Sequence, residues 1–283
     1  MLKSKNYPKK EISKLNEINK LLKQWEKEVS NAKVPFRDEG RKKYDGNLLF
    51  SWDGFFPYYF GQKPKVLFVG REDREWWYTV KEWMDIFKKA DLSNQGFFVP
   101  LLQILYGINN NFTIDYINAP DRNEIAETIG TEKGLSFAIL ELSKYGNKNE
   151  DSGKHYDKEL MKRFFKDSNL DKFNYFEKEL SILDPDIIVT MNIWELPNIK
   201  NYINKYIFPE NEIIHSMKYI DLHKVKINNR NVPLLDTYHF SAPGKNNQDN
   251  QVEKYFYNPV KKMIKSKTFE KEFIDFKNKF ESQ

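Results

Sequence analysis

Three clusters of side chains in this sequence are of types that could act on an anion or a flat heterocycle. Arg71-Glu72-Asp73-Arg74-Glu75 sets five charges in a row, with Trp76 and Trp77 directly behind them. Carboxylates can orient water or stabilise a developing cation, and amphipathic indole rings suit a pocket that grips a flat ring. Thr237-Tyr238-His239-Phe240-Ser241 runs on through Pro243-Gly244 to Lys245. It joins a titratable imidazole and a hydroxyl to a turn whose backbone N–H groups can meet an anion. Between these two, Glu141 stands three residues before Lys144 at the end of an apolar run. The blander reading of a charged run is a solvated turn whose charges pair among themselves, and a lone histidine is usually structural.

Each cluster follows a run that reads as a strand. Lys65-Val66-Leu67-Phe68-Val69-Gly70 is short, continuously apolar and closed by glycine, which predicts a buried strand of a parallel sheet. A glycine at its end lets a ligand approach the backbone closely. Residues 135–142 and 187–191 repeat the pattern, and 220–227 and 232–235 lie on either side of a turn at 228–231. Between the strands, apolar residues recur at helical spacing. Ile12, Leu15, Ile18, Leu22, Trp25 and Val29 mark an opening amphipathic helix, and further helices are predicted near 81–90 and 97–108. Leu170, Phe173, Phe176, Leu180 and Leu183 mark another, which Asp184-Pro185-Asp186 stops. Residues 35–54 read as a loop, and a helix of alternating Lys and Phe closes the chain.

Strands alternating with helices predict an α/β fold, a three-layer α/β/α sandwich around one central, mainly parallel sheet. One domain over 1–283 is expected, with a helical extension over about 1–34 and a C-terminal helix. In such sheets functional groups gather beyond the carboxyl ends of the strands, which singles out the loops after Gly70, Leu142 and Leu235.

Composition narrows the chemistry. The 283 residues are 40% hydrophobic and 16% aromatic, enough for a substantial core. The absence of cysteine excludes disulfides, thiolate zinc sites and cysteine nucleophiles. His155, His215, His223 and His239 show no metal-ligand spacing, so neither a metal nor another cofactor is expected. No apolar run reaches transmembrane length and the first residues lack the apolar segment of a signal peptide, so a cytoplasmic protein without membrane contact is expected. A net charge of +5, from 46 basic and 41 acidic residues, permits a polyanionic partner without demanding one.

In their order and strand context the three clusters resemble the uracil-DNA glycosylase superfamily. That family has a first motif such as G-Q-D-P-Y-H or G-x-N-P, a central strand ending in Asn with Lys three residues on, and a late H-P-S motif. Divergent members carry a first motif like G-Q-E-T-N-G-W, which Gly70-Arg71-Glu72-Asp73-Arg74-Glu75-Trp76 matches in length, glutamate and tryptophan. The resemblance runs over about residues 50–243. It implies a uracil-DNA glycosylase-like sandwich with DNA as partner, and a monomer is expected. The family's catalytic acid or amide falls on Glu72, with Asp73 the neighbouring runner-up. Its leaving-group histidine falls on His239 and its phosphate-holding serine on Ser241. The base-reading asparagine falls on Glu141, and the family's lysine on Lys144. Two positions depart from the pattern. Phe240 replaces the usual proline, and no Pro-Tyr follows Glu72, so the steric gate that some members use against thymine has no direct counterpart. The iron–sulfur cluster of some members is excluded for want of cysteine.

The implied reaction is dissociative cleavage of an N-glycosidic bond, in which the base leaves with growing negative charge while the sugar becomes oxocarbenium-like. Glu72 would orient water or stabilise the cation, and His239 would hydrogen-bond the oxyanion on the base. The flipped base needs a stacking surface, for which Trp76, Trp77 or a nearby phenylalanine is available. Arg71, Arg74, Lys144, Ser241 and Lys245 are the expected phosphate contacts.

Glu141 sharpens the expected substrate. An asparagine amide both donates and accepts, matching uracil O4 and N3–H, whereas a carboxylate only accepts unless it is held protonated. Glutamate is a natural acceptor for the exocyclic amino group of cytosine. A modified cytosine is therefore the expected base and defence against phage DNA the expected role, with 53–61 and 144–155 as loops leaving room for a substituent. The alternative for Glu141 is that it points away or forms a salt bridge to Lys144. Three other functions stay open: a uracil-excising repair glycosylase, a catalytically silent DNA-binding relative, and an unrelated nucleotide-handling or hydrolytic α/β enzyme. A Ser–His hydrolase is the weaker of the hydrolytic readings, because no G-x-S-x-G elbow activates the serine.

Overall fold

The computed structural model describes residues 4–30, 50–72, 79–89, 92, 96–146, 158–196, 198–242, 244–245 and 249–281. Seven strands form one sheet: β1 (Gly54–Phe55), β2 (Val66–Glu72), β3 (Ala138–Ser143), β4 (Ile187–Met191), β5 (Glu212–Met217), β6 (Ile220–Ile227) and β7 (Arg230–Thr237). Their spatial order is β1-β3-β2-β4-β7-β6-β5. The central four, β3, β2, β4 and β7, run parallel. At one edge β1 pairs antiparallel with β3, and at the other β5, β6 and β7 form an antiparallel meander. The protein is thus α/β, with a mixed sheet that is parallel at its centre. Strands β3 and β4 are buried throughout and β2 along its apolar length, which is why all three read as unbroken apolar runs.

The helices are α1 (Ile12–Ser30), α2 (Thr79–Lys89), α3 (Phe98–Asn109), α4 (Arg122–Thr128), α5 (Lys158–Asp167), α6 (Tyr175–Leu183), α7 (Lys200–Tyr202), α8 (Asp249–Val252), α9 (Asn258–Ile264), α10 (Lys267–Glu272) and α11 (Ile274–Glu281). The β2–β3 crossover carries α2, α3 and α4, and the β3–β4 crossover carries α5 and α6. The two run in opposite directions across the sheet, since β3 lies on one side of β2 and β4 on the other. Right-handed connections in opposite directions send their helices to opposite faces. The helix contacts agree: α1 packs with α5 and α6, whereas α4 packs with α2 and α3.

Aromatic side chains fill both groups. Trp25 of α1 meets Phe164 of α5 and Tyr175 and Phe176 of α6. In the other group Phe137 lies against Phe56 and Phe68, and Trp83 and Phe87 close on Phe98. Each ring fully buried in this way contributes roughly 1.5–3 kcal/mol of transfer free energy. The opening helix belongs to this core, with Leu15, Ile18, Leu22 and Trp25 fully buried.

Residues just ahead of α1 clamp the stretch at 53–61. The Tyr7 hydroxyl donates to the Phe55 carbonyl at 2.6 Å, and Glu11 accepts from the Tyr58 and Phe60 amides at 2.8 Å each. Phe55, Phe56 and Tyr59 are fully buried. This corrects the expectation of a loop there with room for a base substituent. Most of the second stretch expected to leave such room, from 147 onward, lies outside the described residues. The closing helix is also divided: Ser266 starts a new one, its hydroxyl accepting from the Phe269 amide at 3.1 Å. Among the described residues no helix is long and apolar enough to cross a membrane.

Candidate active site

The parallel strands bring their carboxyl ends to one rim. Gly70 is in register with Glu141 and Glu72 with Ser143, while Val69 aligns with Thr190 and Met191 with Thr237. Glu72 is the last residue of β2, and His239 follows the end of β7 by two residues. Residues in register across parallel strands share a face, as do residues two apart along one strand. Glu141 and Glu72 therefore belong to one face of the rim. The crossover direction reverses between β2 and β4, which is where a doubly wound sheet opens a crevice for ligands.

Glu141 sits deep in that rim, 3% exposed. Its backbone N–H donates to the Asp53 carboxylate at 2.6 Å. Its own carboxylate covers Gly70 so closely that a Cβ there would lie 2.3 Å from Oε2. The glycine thus makes room first for a neighbouring side chain of the protein itself.

Lys144 requires a correction. It is fully buried, and Asp53 and Glu179 hold its ammonium, the second at 3.0 Å. The Trp25 ring lies 5.2 Å from it. A side chain enclosed on all sides cannot meet a DNA phosphate, so that expected role falls, and so does the salt bridge from Lys144 to Glu141. Burial works against the charge on Lys144, but the two facing carboxylates raise its pKa overall. Burial and the Asp53 carboxylate push Glu179 well above the usual carboxyl range. Lys144, Asp53 and Glu179 thus form one buried ionisable cluster. Because Asp53 also receives the Glu141 amide, Lys144 acts as a positioning residue for Glu141.

At the other end of the rim, the Ser241 amide donates to His239 Nδ1 at 3.2 Å. A neutral imidazole with Nδ1 accepting carries its proton on Nε2, which is then the donor. Phe240, in the place of the family's proline, is fully buried between Phe68, Phe97 and Phe256 and anchors the turn. Phe97, partly buried just ahead of α3, has its ring 6.2 Å from that of His239. Lys245 lies over Tyr238, its ammonium 3.5 Å from the ring centroid. Arg71 donates to the Asn192 carbonyl at 3.3 Å and so bridges β2 to the end of β4. Asp73, Arg74, Trp76 and Trp77 lie outside the described residues.

That β4 end was not among the three loops expected from the sequence. Asn192 turns the chain there with φ +58°, a conformation asparagine tolerates better than most residues. Asp236 of β7 holds the turn, accepting from the Thr190 hydroxyl at 2.6 Å and the Ile193 amide at 3.2 Å. Trp194 stacks on His223 of β6 at 4.3 Å. Burial lifts the Asp236 carboxyl to about 6, in spite of these hydrogen bonds. Burial also pulls the His223 ring down to about 4.

The two shifts oppose each other in stability. Asp236 keeps its proton longer in the folded state, so its contribution is full below about pH 4 and lost as pH rises through 6. His223 stays neutral in the folded state, so its contribution is full above pH 6.5 and lost as pH falls toward 4. Each is on the order of 3 kcal/mol. Urea titrations from pH 4 to 7 should find Asp236→Asn gaining stability with pH more steeply than the parent protein, and His223→Phe losing it. Parent-like profiles in both variants would disprove the opposition.

The fold and the rim define a doubly wound α/β protein whose polar side chains collect at the switch point of its sheet. No protein-family model matches the chain, and no curated protein is significantly similar to it.

Proposed function

We propose that the protein is a DNA glycosylase with a uracil-DNA glycosylase-like three-layer sandwich, which flips out and excises a modified pyrimidine. What supports this reading is Glu72 and Glu141 on one face at the carboxyl ends of neighbouring parallel strands, with His239 just past the end of β7 and its Nδ1 accepting from the Ser241 amide. The base enters against Glu141, whose carboxylate accepts from an exocyclic amino group, and this favours a modified cytosine. Phe97, beside His239, supplies a stacking ring. As the glycosidic bond breaks, Nε2–H of His239 hydrogen-bonds the base oxygen on which negative charge grows. Glu72 steadies the oxocarbenium-like sugar and orients the water that adds to it. The products are an abasic site and the free base. Acting on the modified cytosines of phage DNA, such an enzyme would serve defence.

Mass spectrometry of the bases released from unmodified, uracil-containing and heavily modified phage DNAs tests this. Release of a cytosine derivative is the expected result. Release of uracil alone would overturn the base assignment, and release of no base from any DNA would overturn the glycosylase reading.

A further inference from the structure

A second group of side chains lies beside the rim and takes no part in the chemistry above. Strands β5 and β6 are joined by the two-residue turn Lys218-Tyr219, with Met217 paired to Ile220. Tyr219 has φ +82°. At the second central position of a turn, that backbone is normally given to glycine, and a bulky residue there is an outlier. Tight hairpins prefer other turn types in any case. The unfavourable conformation presents an aromatic ring at the hairpin tip, where it meets two more. Tyr219 lies 5.7 Å from Tyr238 and 4.9 Å from Tyr255, and Tyr238 and Tyr255 are 6.2 Å apart.

Lysines surround the three half-buried rings. Lys218 and Lys254 each sit 4.9 Å from a ring centroid, over Tyr219 and Tyr255, and Lys245 lies over Tyr238. An open cleft of about 380 Å³ adjoins them, lined by Lys218, Lys254 and Lys262 with Glu253 as its one acidic residue. Glu253 accepts from the Asn258 side-chain Nδ2 at 3.1 Å. The cleft is therefore positive beside an aromatic surface, and Tyr238 directly precedes His239.

We propose that Tyr219, Tyr238 and Tyr255, with Lys218, Lys245 and Lys254, form a platform for a single-stranded stretch of DNA flanking the candidate active site. Aromatic rings interleaved with cations serve single strands, whose bases expose their faces for stacking while the cations follow the backbone. In a duplex those faces are covered by neighbouring bases. The inference rests on the DNA reading for the identity of the partner, and the platform's geometry stands apart from Glu72, Glu141 and His239.

Fluorescence anisotropy with the full chain and a labelled thymidylate dodecamer tests it. Tyr219→Gly removes one ring while relieving the backbone of the turn, so it should weaken binding about tenfold or more at an undiminished Tm. Tyr255→Ala should weaken it similarly, and Tyr219→Phe should stay within about twofold of the parent. Lys254→Gln should reduce the steepness of the salt dependence by about 0.7 in the log–log slope. Parent-like affinity in both Tyr219→Gly and Tyr255→Ala would overturn the platform, as would duplex binding equal to that of the single strand. Base release with binding insensitive to the tyrosines would remove the platform and keep the glycosylase. Tyrosine-dependent binding with no base released from any DNA would do the reverse.

Discussion

Lys144→Met is expected to lower the folding stability by about 3–5 kcal/mol, a large fraction of the roughly 5–15 kcal/mol that holds a domain together. The cost comes from what the substitution leaves behind. Removing the ammonium takes away the cation that both buried carboxyl groups, Asp53 and Glu179, contact. A companion substitution shows whether that is the cause. Asp53→Asn in the Lys144→Met background makes position 53 neutral and keeps an oxygen to accept the Glu141 amide, so most of the loss should be recovered. Guanidinium denaturation of the parent, the single and the double variants measures both effects. A Lys144→Met protein within about 1 kcal/mol of the parent, but with weakened affinity for DNA, would return the lysine to the phosphate role assigned from sequence.

Glu72→Gln and His239→Ala should each slow base release by about 10²–10⁴-fold, the usual range for removing a positioned acid, base or hydrogen-bond donor. Both side chains are part-exposed at strand ends, so folding should change little. DNA affinity should fall by less than about tenfold, because phosphate contacts dominate it. Abasic-site formation under single-turnover conditions separates rate from binding. Parent-like rates in both variants would place the chemistry elsewhere on the rim.

The fold was legible where local pattern and burial coincide. Residues 187–191 and 220–227 form strands over the boundaries their apolar runs indicate. The other three were found with errors at their ends, β2 running two residues further to Glu72, β3 starting later at Ala138, and β7 spanning Arg230–Thr237 where only 232–235 was expected. The edges were hidden. β5 is a largely exposed edge strand, and the two residues of β1 are a strand only because β3 pairs with them. The amphipathic pattern of α5, with Leu160, Met161, Phe164 and Phe165 buried, was overlooked.

For the site, the order of the clusters was readable, because strand ends in a parallel sheet share a rim. Side-chain partners were not. Lys144 stands three residues from Glu141, yet its partners lie 91 and 35 residues away in Asp53 and Glu179. Only long-range packing decides which neighbour a buried lysine finds. The β4 end escaped notice because Asn192-Ile193-Trp194 carries no charge run. Its one signal was an asparagine at a strand end, where a left-handed turn is easiest.

Gly70 and Glu141 occupy one volume between them, so neither position can change alone in every direction. A side chain added at 70 would have to push the Glu141 carboxylate aside. A shorter residue at 141 instead leaves a void against the β2 backbone, which alanine or serine at 70 would fill. The path that disturbs least changes position 141 first and position 70 second. A diverging lineage would record a change at Glu141 in a residue whose side chain is a single hydrogen.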